Sequence, residues 1–280
     1  MSTEPSSPFG HVHVVEPTAT HTHTAIFLHG RGGTGVEFFE ELEETTMTSK
    51  KSLVQTLPGW RWVFPSSREL WNPVFKESIP AWFEAYSLTD ITARQDLQTD
   101  GIREAVEYLT RICESEVKRL DGLASNVVLG GISQGGAIGL WTMLSLRSNA
   151  PLKCPTTFVG ASTWLPFASD IEAVLDPEQD DPKDSLGTEF VKAMIGPIDQ
   201  TQKPILTFLG HGIDDAYVDV ELGRQARDVL SRAGFITEWK EYSGAEQEGH
   251  WIKAPEEMDD IARFLQRIEM GESERADRVV

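Results

Sequence analysis

The chain has 280 residues, 40% of them apolar, and its 44 acidic against 25 basic side chains give a formal net charge of −19. That balance excludes a nucleic-acid-binding protein and one drawn to anionic membranes, since both need a basic surface, and the apolar content excludes wholesale disorder. The two cysteines, Cys113 and Cys154, make no disulfide framework and read as small core side chains.

In chain order, the N-terminal MSTEPSSPFG is polar and rich in Pro and Ser, and residues 1–10 are expected to be disordered. It lacks the basic start and apolar stretch of a signal peptide and the Met-Gly of myristoylation, and ADRVV lacks a prenylation cysteine. No window approaches 18 consecutive apolar residues, so no stable membrane insertion is expected and a cytoplasmic location is. Residues 11–15 (HVHVV) and 23–28 (HTAIFL) read as strands, as does 60–64 (WRWVF), stopped by Pro65. Residues 65–90 are aromatic-rich, hold three prolines and read as irregular. Apolar side chains at three- and four-residue steps from Ile102 to Leu120 predict a long helix over about 92–120.

VVLGG then reads as a buried strand, followed by a helix over about 135–147, strands TTFVGA and ILTFLG, a helix over DVELGRQARDVLSRAG, strand ITEWKEY and a last helix over 255–268. Strands alternating with helices predict one α/β domain over 11–270, a mostly parallel central sheet with helices on both faces. Residues 166–203, which contain DPEQDDPKDS, read as an acidic, mobile surface insert. Residues 271–280 read as a flexible tail.

The chemistry centres on LGGISQGG, residues 129–136. A Gly/Ser turn would explain the composition. A nucleophile elbow also explains the position, because Gly131-Ile-Ser-Gln-Gly135 fits G-x-S-x-G between a strand and a helix. The glycines permit a turn tight enough to lift the Ser133 hydroxyl above the sheet, at a helix N-terminus that favours developing negative charge. A serine nucleophile needs a base, and the base needs an acid. Only His211 and His250 follow Ser133. His211 closes a strand, whereas His250 sits on a loop before the last helix, the expected place for the base. Asp214 and Asp215, after ILTFLG, are equal candidates for the acid. One oxyanion N–H is expected from Gln134 and the other from the loop His29-Gly-Arg-Gly-Gly-Thr-Gly35, whose spacing matches no phosphate-binding loop.

Taken together, IFLHGRGGTG, WRWVFPSSRELWNPVFKESIPAWFEA, VVLGGISQGGAIGLW, ILTFLGHGIDDAYV and GHWIKAPE resemble, in order, the acyl-protein thioesterase/carboxylesterase family of α/β-hydrolases. The resemblance covers most of residues 20–268. It implies that Asp215 is the acid, as the second Asp of a His-Gly-Asp-x-Asp motif, and that Arg31 supplies the second oxyanion N–H. It implies hydrolysis of an ester or thioester through an acyl-enzyme, with no metal or organic cofactor, on an acylated protein or a small ester. Ile213 replaces the first Asp of that motif, which leaves Asp214 as a substitute for the acid. Two departures bear on substrate: Arg31-Gly32-Gly33 stands where the family usually has Leu-Gly-Asp, and the 166–203 region is longer than in the family's compact members. Arg31 therefore adds a cation at the pocket mouth.

Trp71, Phe75, Trp82 and Phe83 are candidates for an acyl-binding surface. Trp164 and Leu165, beside the insert, are candidates for a groove that the insert covers. A small-molecule esterase and a catalytically silent binding module are the competing functions. The H-x-H pairs His11/His13 and His21/His23 have no Cys, Asp or Glu at ligand spacing, so no metal site is expected.

Overall fold

A computed structural model describes residues 8–72, 76–87, 90, 93–150, 154–176, 185–198 and 201–271. The strands are β1 (His13–Val15), β2 (His23–Leu28), β3 (Trp60–Phe64), β4 (Arg68–Asn72), β5 (Glu77–Ala81), β6 (Val127–Ile132), β7 (Thr157–Ala161), β8 (Ile205–Gly212) and β9 (Phe235–Tyr242). The helices are α1 (Gly35–Glu44), α2 (Leu53–Thr56), α3 (Gln98–Arg119), α4 (Ser133–Asn149), α5 (Ala168–Leu175), α6 (Leu186–Met194), α7 (Val220–Arg232) and α8 (Glu256–Glu269).

Seven strands pair in the order β1-β3-β2-β6-β7-β8-β9, β1 antiparallel and the rest parallel. β2 and β6 are buried at every position. Ile26, Leu28 and Leu129 join one apolar layer, while Ala25, Phe27 and Val128 join the other. Both faces must therefore be covered, as parallel strands require. Apolar residues of α3 to α7 fill the first layer, and those of α1, α2 and α8 fill the second. This is the α/β arrangement the sequence predicts. α4 is buried from Gln134 through Leu144, so it carries no polar face. Among the described residues no helix is long and apolar enough to cross a membrane. Cys113 and Cys154 are buried, and burial pushes both thiols up, Cys154 to about 12.

Three regions differ from the expectation. The stretch read as irregular contains a hairpin, β4 paired antiparallel with β5. Pro80 lies inside β5, where a two-stranded ribbon tolerates its missing N–H. α1 and α2 each begin with a capping box, Thr34 with Glu37 and Ser52 with Gln55. The region read as a surface insert is anchored on both described sides. Ile171 of α5 and Phe190, Val191 and Met194 of α6 are core residues, and Trp141 Nε1 donates to the Pro166 carbonyl at 3.1 Å. Its acidic run over 177–184 lies outside the described residues.

Glu257, in the first turn of α8, is buried against Gly210 of β8. Its Oε2 accepts the Lys253 N–H at 2.8 Å, and its Oε1 has no partner. Burial pushes its carboxyl up to about 8, with Asp260 adding to the shift. Between its ordinary range near 4.5 and about 8, the folded chain holds a proton that the unfolded chain has lost. Stability therefore falls as pH rises through that window, by up to about 1.4 kcal/mol per pH unit. Glu257→Gln is expected to flatten this fall in urea denaturation at pH 5, 7 and 9. Parallel stability curves for the two proteins would count against it.

Candidate active site

The elbow is built by close approach. Ile132 is extended, and Ser133, the first residue of α4, turns into the left-handed region at φ +54°. A non-glycine residue pays strain there, so the surroundings must impose it. A Cβ on Gly131 would come within 2.7 Å of the Gly135 carbonyl carbon and 2.8 Å of the Leu28 oxygen. A Cβ on Gly135 would overlap the carbonyl oxygens of Leu28 and His29. The glycines two residues either side of Ser133 thus let α4 seat against the end of β2. Thr163 Oγ1 donates to the Ser133 carbonyl at 2.8 Å and fixes the turn from the far side.

Asp215 comes from the turn after β8, and His250 from the segment after β9. His250 Nδ1 donates to the Asp215 carboxylate, 2.8 Å from Oδ2 and 3.0 Å from Oδ1. Oδ1 also accepts the N–H groups of Tyr217 and Val218, each at 2.9 Å. Burial alone would raise this carboxyl. The His250 hydrogen bond and charge, with the two N–H donors, outweigh it and hold Asp215 below the usual range.

Asp214 faces elsewhere: its Oδ2 accepts the Gly244 N–H at 2.8 Å. Adjacent in sequence, the two carboxylates are separated by the turn. His211 is buried beneath it, its Nε2 donating to the Val218 carbonyl at 2.9 Å. Burial lowers the His211 imidazole pKa, so the ring stays neutral and closes the 211–218 turn. Gly249, with φ +85°, lets the His250 loop press against Asp214, because a Cβ there would come 2.6 Å from the Asp214 oxygen.

On the opposite wall His29 organises the glycine loop. Its Nδ1–H donates to the Gly30 carbonyl at 2.6 Å, and its Nε2 accepts the Ser67 N–H at 2.9 Å. Burial lowers this imidazole to about 4, so it keeps that tautomer at neutral pH. Gly32, at φ +91°, donates its N–H to Pro80 of the hairpin at 2.8 Å. The Arg31 N–H has no acceptor among the described residues. Gln134 is the second residue of α4, so its N–H is among the first four, which have no intrahelical acceptor. Its side chain is also engaged. Oε1 accepts the Trp82 N–H at 2.9 Å and Nε2 donates to the Phe83 carbonyl at 2.8 Å. Gln134 thereby ties the hairpin exit to the elbow, and nothing local in the sequence signals this.

Arg31, Ser133, Gln134, Trp164 and His250 line one cavity of about 820 Å³. Its apolar wall comes from Phe38, Ile79, Ile132, Val218, Tyr217 and Trp251. The other proposed acyl-binding residues do not line it. Trp71 stands 62% exposed on the hairpin. Trp82 is buried, its Nε1 donating to the His29 carbonyl at 2.9 Å. Phe83 and Leu165 lie in the core, and Phe75 lies outside the described residues. The sequence reading favoured aromatics near the motifs, whereas the wall is gathered from side chains distant in sequence. His13 and His23 pack on Phe39 and Trp60.

Residues 9–175 match the family model described as Phospholipase/Carboxylesterase. Acyl-protein thioesterase 1 of Gibberella zeae is 28% identical over 261 residues, 91% of this chain and 94% of that protein. Acyl-protein thioesterase 1 homolog 1 of Dictyostelium discoideum is 25% identical, with 91% of this chain and 94% of that protein covered. Among solved structures, Zea mays acyl-protein thioesterase 2 superposes with a TM-score of 0.64 at 24% identity, over 92% of this chain and 99% of that one. Esterase PE8 gives 0.62 at 20% identity, over 91% and 97%. Asp215 and His250 lie beyond the stretch that the family model matches.

Proposed function

The chain belongs to the phospholipase/carboxylesterase family, and from that premise we propose that it is a serine hydrolase of carboxylic esters and thioesters in which Ser133 is the nucleophile, His250 the base and Asp215 the acid that orients it. The observation that carries this reading is the His250–Asp215 hydrogen bond at 2.8 Å in the same cavity as a serine held at φ +54°.

The proposed steps are these. Ser133 Oγ attacks the acyl carbonyl carbon while His250 Nε2 takes its proton. Asp215, fixed on Nδ1–H, sets the tautomer and stabilises the imidazolium. The N–H groups of Arg31 and Gln134 receive the oxyanion. The alcohol or thiol leaves with the proton from His250, and a water activated by the same ring then releases the acid and restores Ser133.

The substrate class we favour is a long acyl chain on a protein cysteine. Relatives named acyl-protein thioesterase 1 align over most of the chain, and the cavity has an apolar wall. The cation at Arg31 favours a second reading, a smaller and charged ester. The test is hydrolysis of p-nitrophenyl esters from acetyl to palmitoyl beside a palmitoyl-thioester peptide, with Ser133→Ala as control. Serine-dependent cleavage of the thioester peptide is expected. Activity confined to short esters would overturn the long-chain reading, and no serine-dependent activity would overturn the hydrolase reading.

A further inference from the structure

The chain is strongly acidic, and its arginines are used accordingly. Every other described arginine is bound to a carboxylate or a backbone carbonyl. Arg31 is the exception: among the described residues no acceptor takes its guanidinium, and its Nε is buried without a partner. The side chain is half-buried and lines the cavity that holds Ser133. A second donor lining the same cavity, Trp164 Nε1, is also buried without an acceptor among the described residues. Burial lowers the Arg31 pKa, as desolvation of an unpaired cation must. Buried donors without acceptors are costly, and guanidinium is the side chain best shaped to meet a carboxylate with two parallel hydrogen bonds.

Resting on the hydrolase reading, we propose that Arg31 is a specificity residue whose side chain receives an anionic group of the substrate while its backbone N–H receives the oxyanion. The substrate is then an ester or thioester carrying a carboxylate close to the scissile carbonyl, which on an acylated protein is an acidic group beside the modified cysteine. Glu37, Glu41 and Glu248 also line the cavity. Their charge disfavours a dianion, so a monoanionic carboxylate fits better than a phosphate.

The test compares kcat/KM for matched pairs. One arm sets p-nitrophenyl hydrogen glutarate against p-nitrophenyl valerate, with the charge on the acyl side. A second sets S-butyryl-3-mercaptopropionate against its methyl ester, with the charge on the leaving group. A third sets S-butyryl-2-mercaptoethyl phosphate against its dimethyl ester. In one of the first two arms the charged member is expected to be preferred by about tenfold or more. Arg31→Met should reduce that ratio about tenfold, chiefly through KM, and Arg31→Lys should retain part of it. Taking the ratio within each variant cancels any change in the oxyanion loop.

A ratio unchanged in Arg31→Met across all arms would overturn the proposal. A preference confined to the phosphate arm would overturn the choice of carboxylate. If the neutral valerate ester shows no Ser133-dependent turnover, the hydrolase reading fails. The anion site is then judged by equilibrium dialysis of monomethyl glutarate, a monoanion, which should bind wild type and be lost in Arg31→Met. Equal binding to both would overturn it.

Discussion

Ser133→Ala is expected to lower kcat on any ester substrate by about 10⁴-fold or more, and Asp215→Asn by about 10⁴-fold, with KM little changed. In the proposed mechanism the hydroxyl is the bond-forming group, and Asp215 holds His250 through contacts of 2.8 and 3.0 Å. An amide there presents an N–H where the imidazole needs an acceptor, so it favours the wrong tautomer. The sharper test is the neighbouring carboxylate. Asp214 accepts from the Gly244 N–H and has no hydrogen bond to His250, so Asp214→Asn should stay within about twofold of wild type. Single-turnover kinetics on a p-nitrophenyl ester reads all three. Because the groups act as one unit, Ser133→Ala combined with His250→Ala should be no slower than either alone. A ranking in which Asp214→Asn is the more damaging change would reassign the acid.

Gly135→Ala is expected to cost about 3 kcal/mol or more of stability and most of the activity, although it adds one methyl group. The added carbon would overlap two backbone carbonyls, those of Leu28 and His29. Backbone in the centre of a seven-stranded sheet has nowhere to retreat, so α4 must lift and carry Ser133 with it. Gly33→Ala is the control. A Cβ there meets nothing nearer than 3.8 Å, and its cost should stay below about 0.5 kcal/mol. Equilibrium urea denaturation of both variants decides the matter, and equal midpoints would mean that the elbow does not depend on close approach.

The sheet and the helices flanking the motifs were legible because their apolar periods are clean. β2 carries the apolar run Ala25–Leu28 and β6 has no polar residue, and α3 repeats its apolar residues at helical steps. α1 could have been found from Thr34-Gly-Val-Glu37, a capping-box pattern that the glycine-rich run before it obscures. The β4–β5 hairpin was hidden by prolines, which argue against strands except at edges. Ser133 and His250 stood out as candidates from motif and chain order. Those cues left Asp214 and Asp215 equal, because adjacent residues share them and only the turn aims the two apart; the family resemblance is what pointed to Asp215. The contacts made by His29 and Gln134 were invisible for another reason: their partners, Ser67 and Trp82–Phe83, lie 38 to 52 residues away.

In the proposed mechanism, the hydrogen bonds around Asp215 set how the site responds when charge moves. The carboxylate is fully enclosed, with donors from Tyr217, Val218 and His250 already in place. When His250 takes a proton, the counter-charge is present and its dipoles already point at it. Bulk water would have to reorient around a new imidazolium, and here that reorganisation energy is small because folding has completed the alignment. The elbow's strain and the enclosed acid are thus two forms of the same stored order: one fixes where the bond forms, the other how little the surroundings must relax when it does.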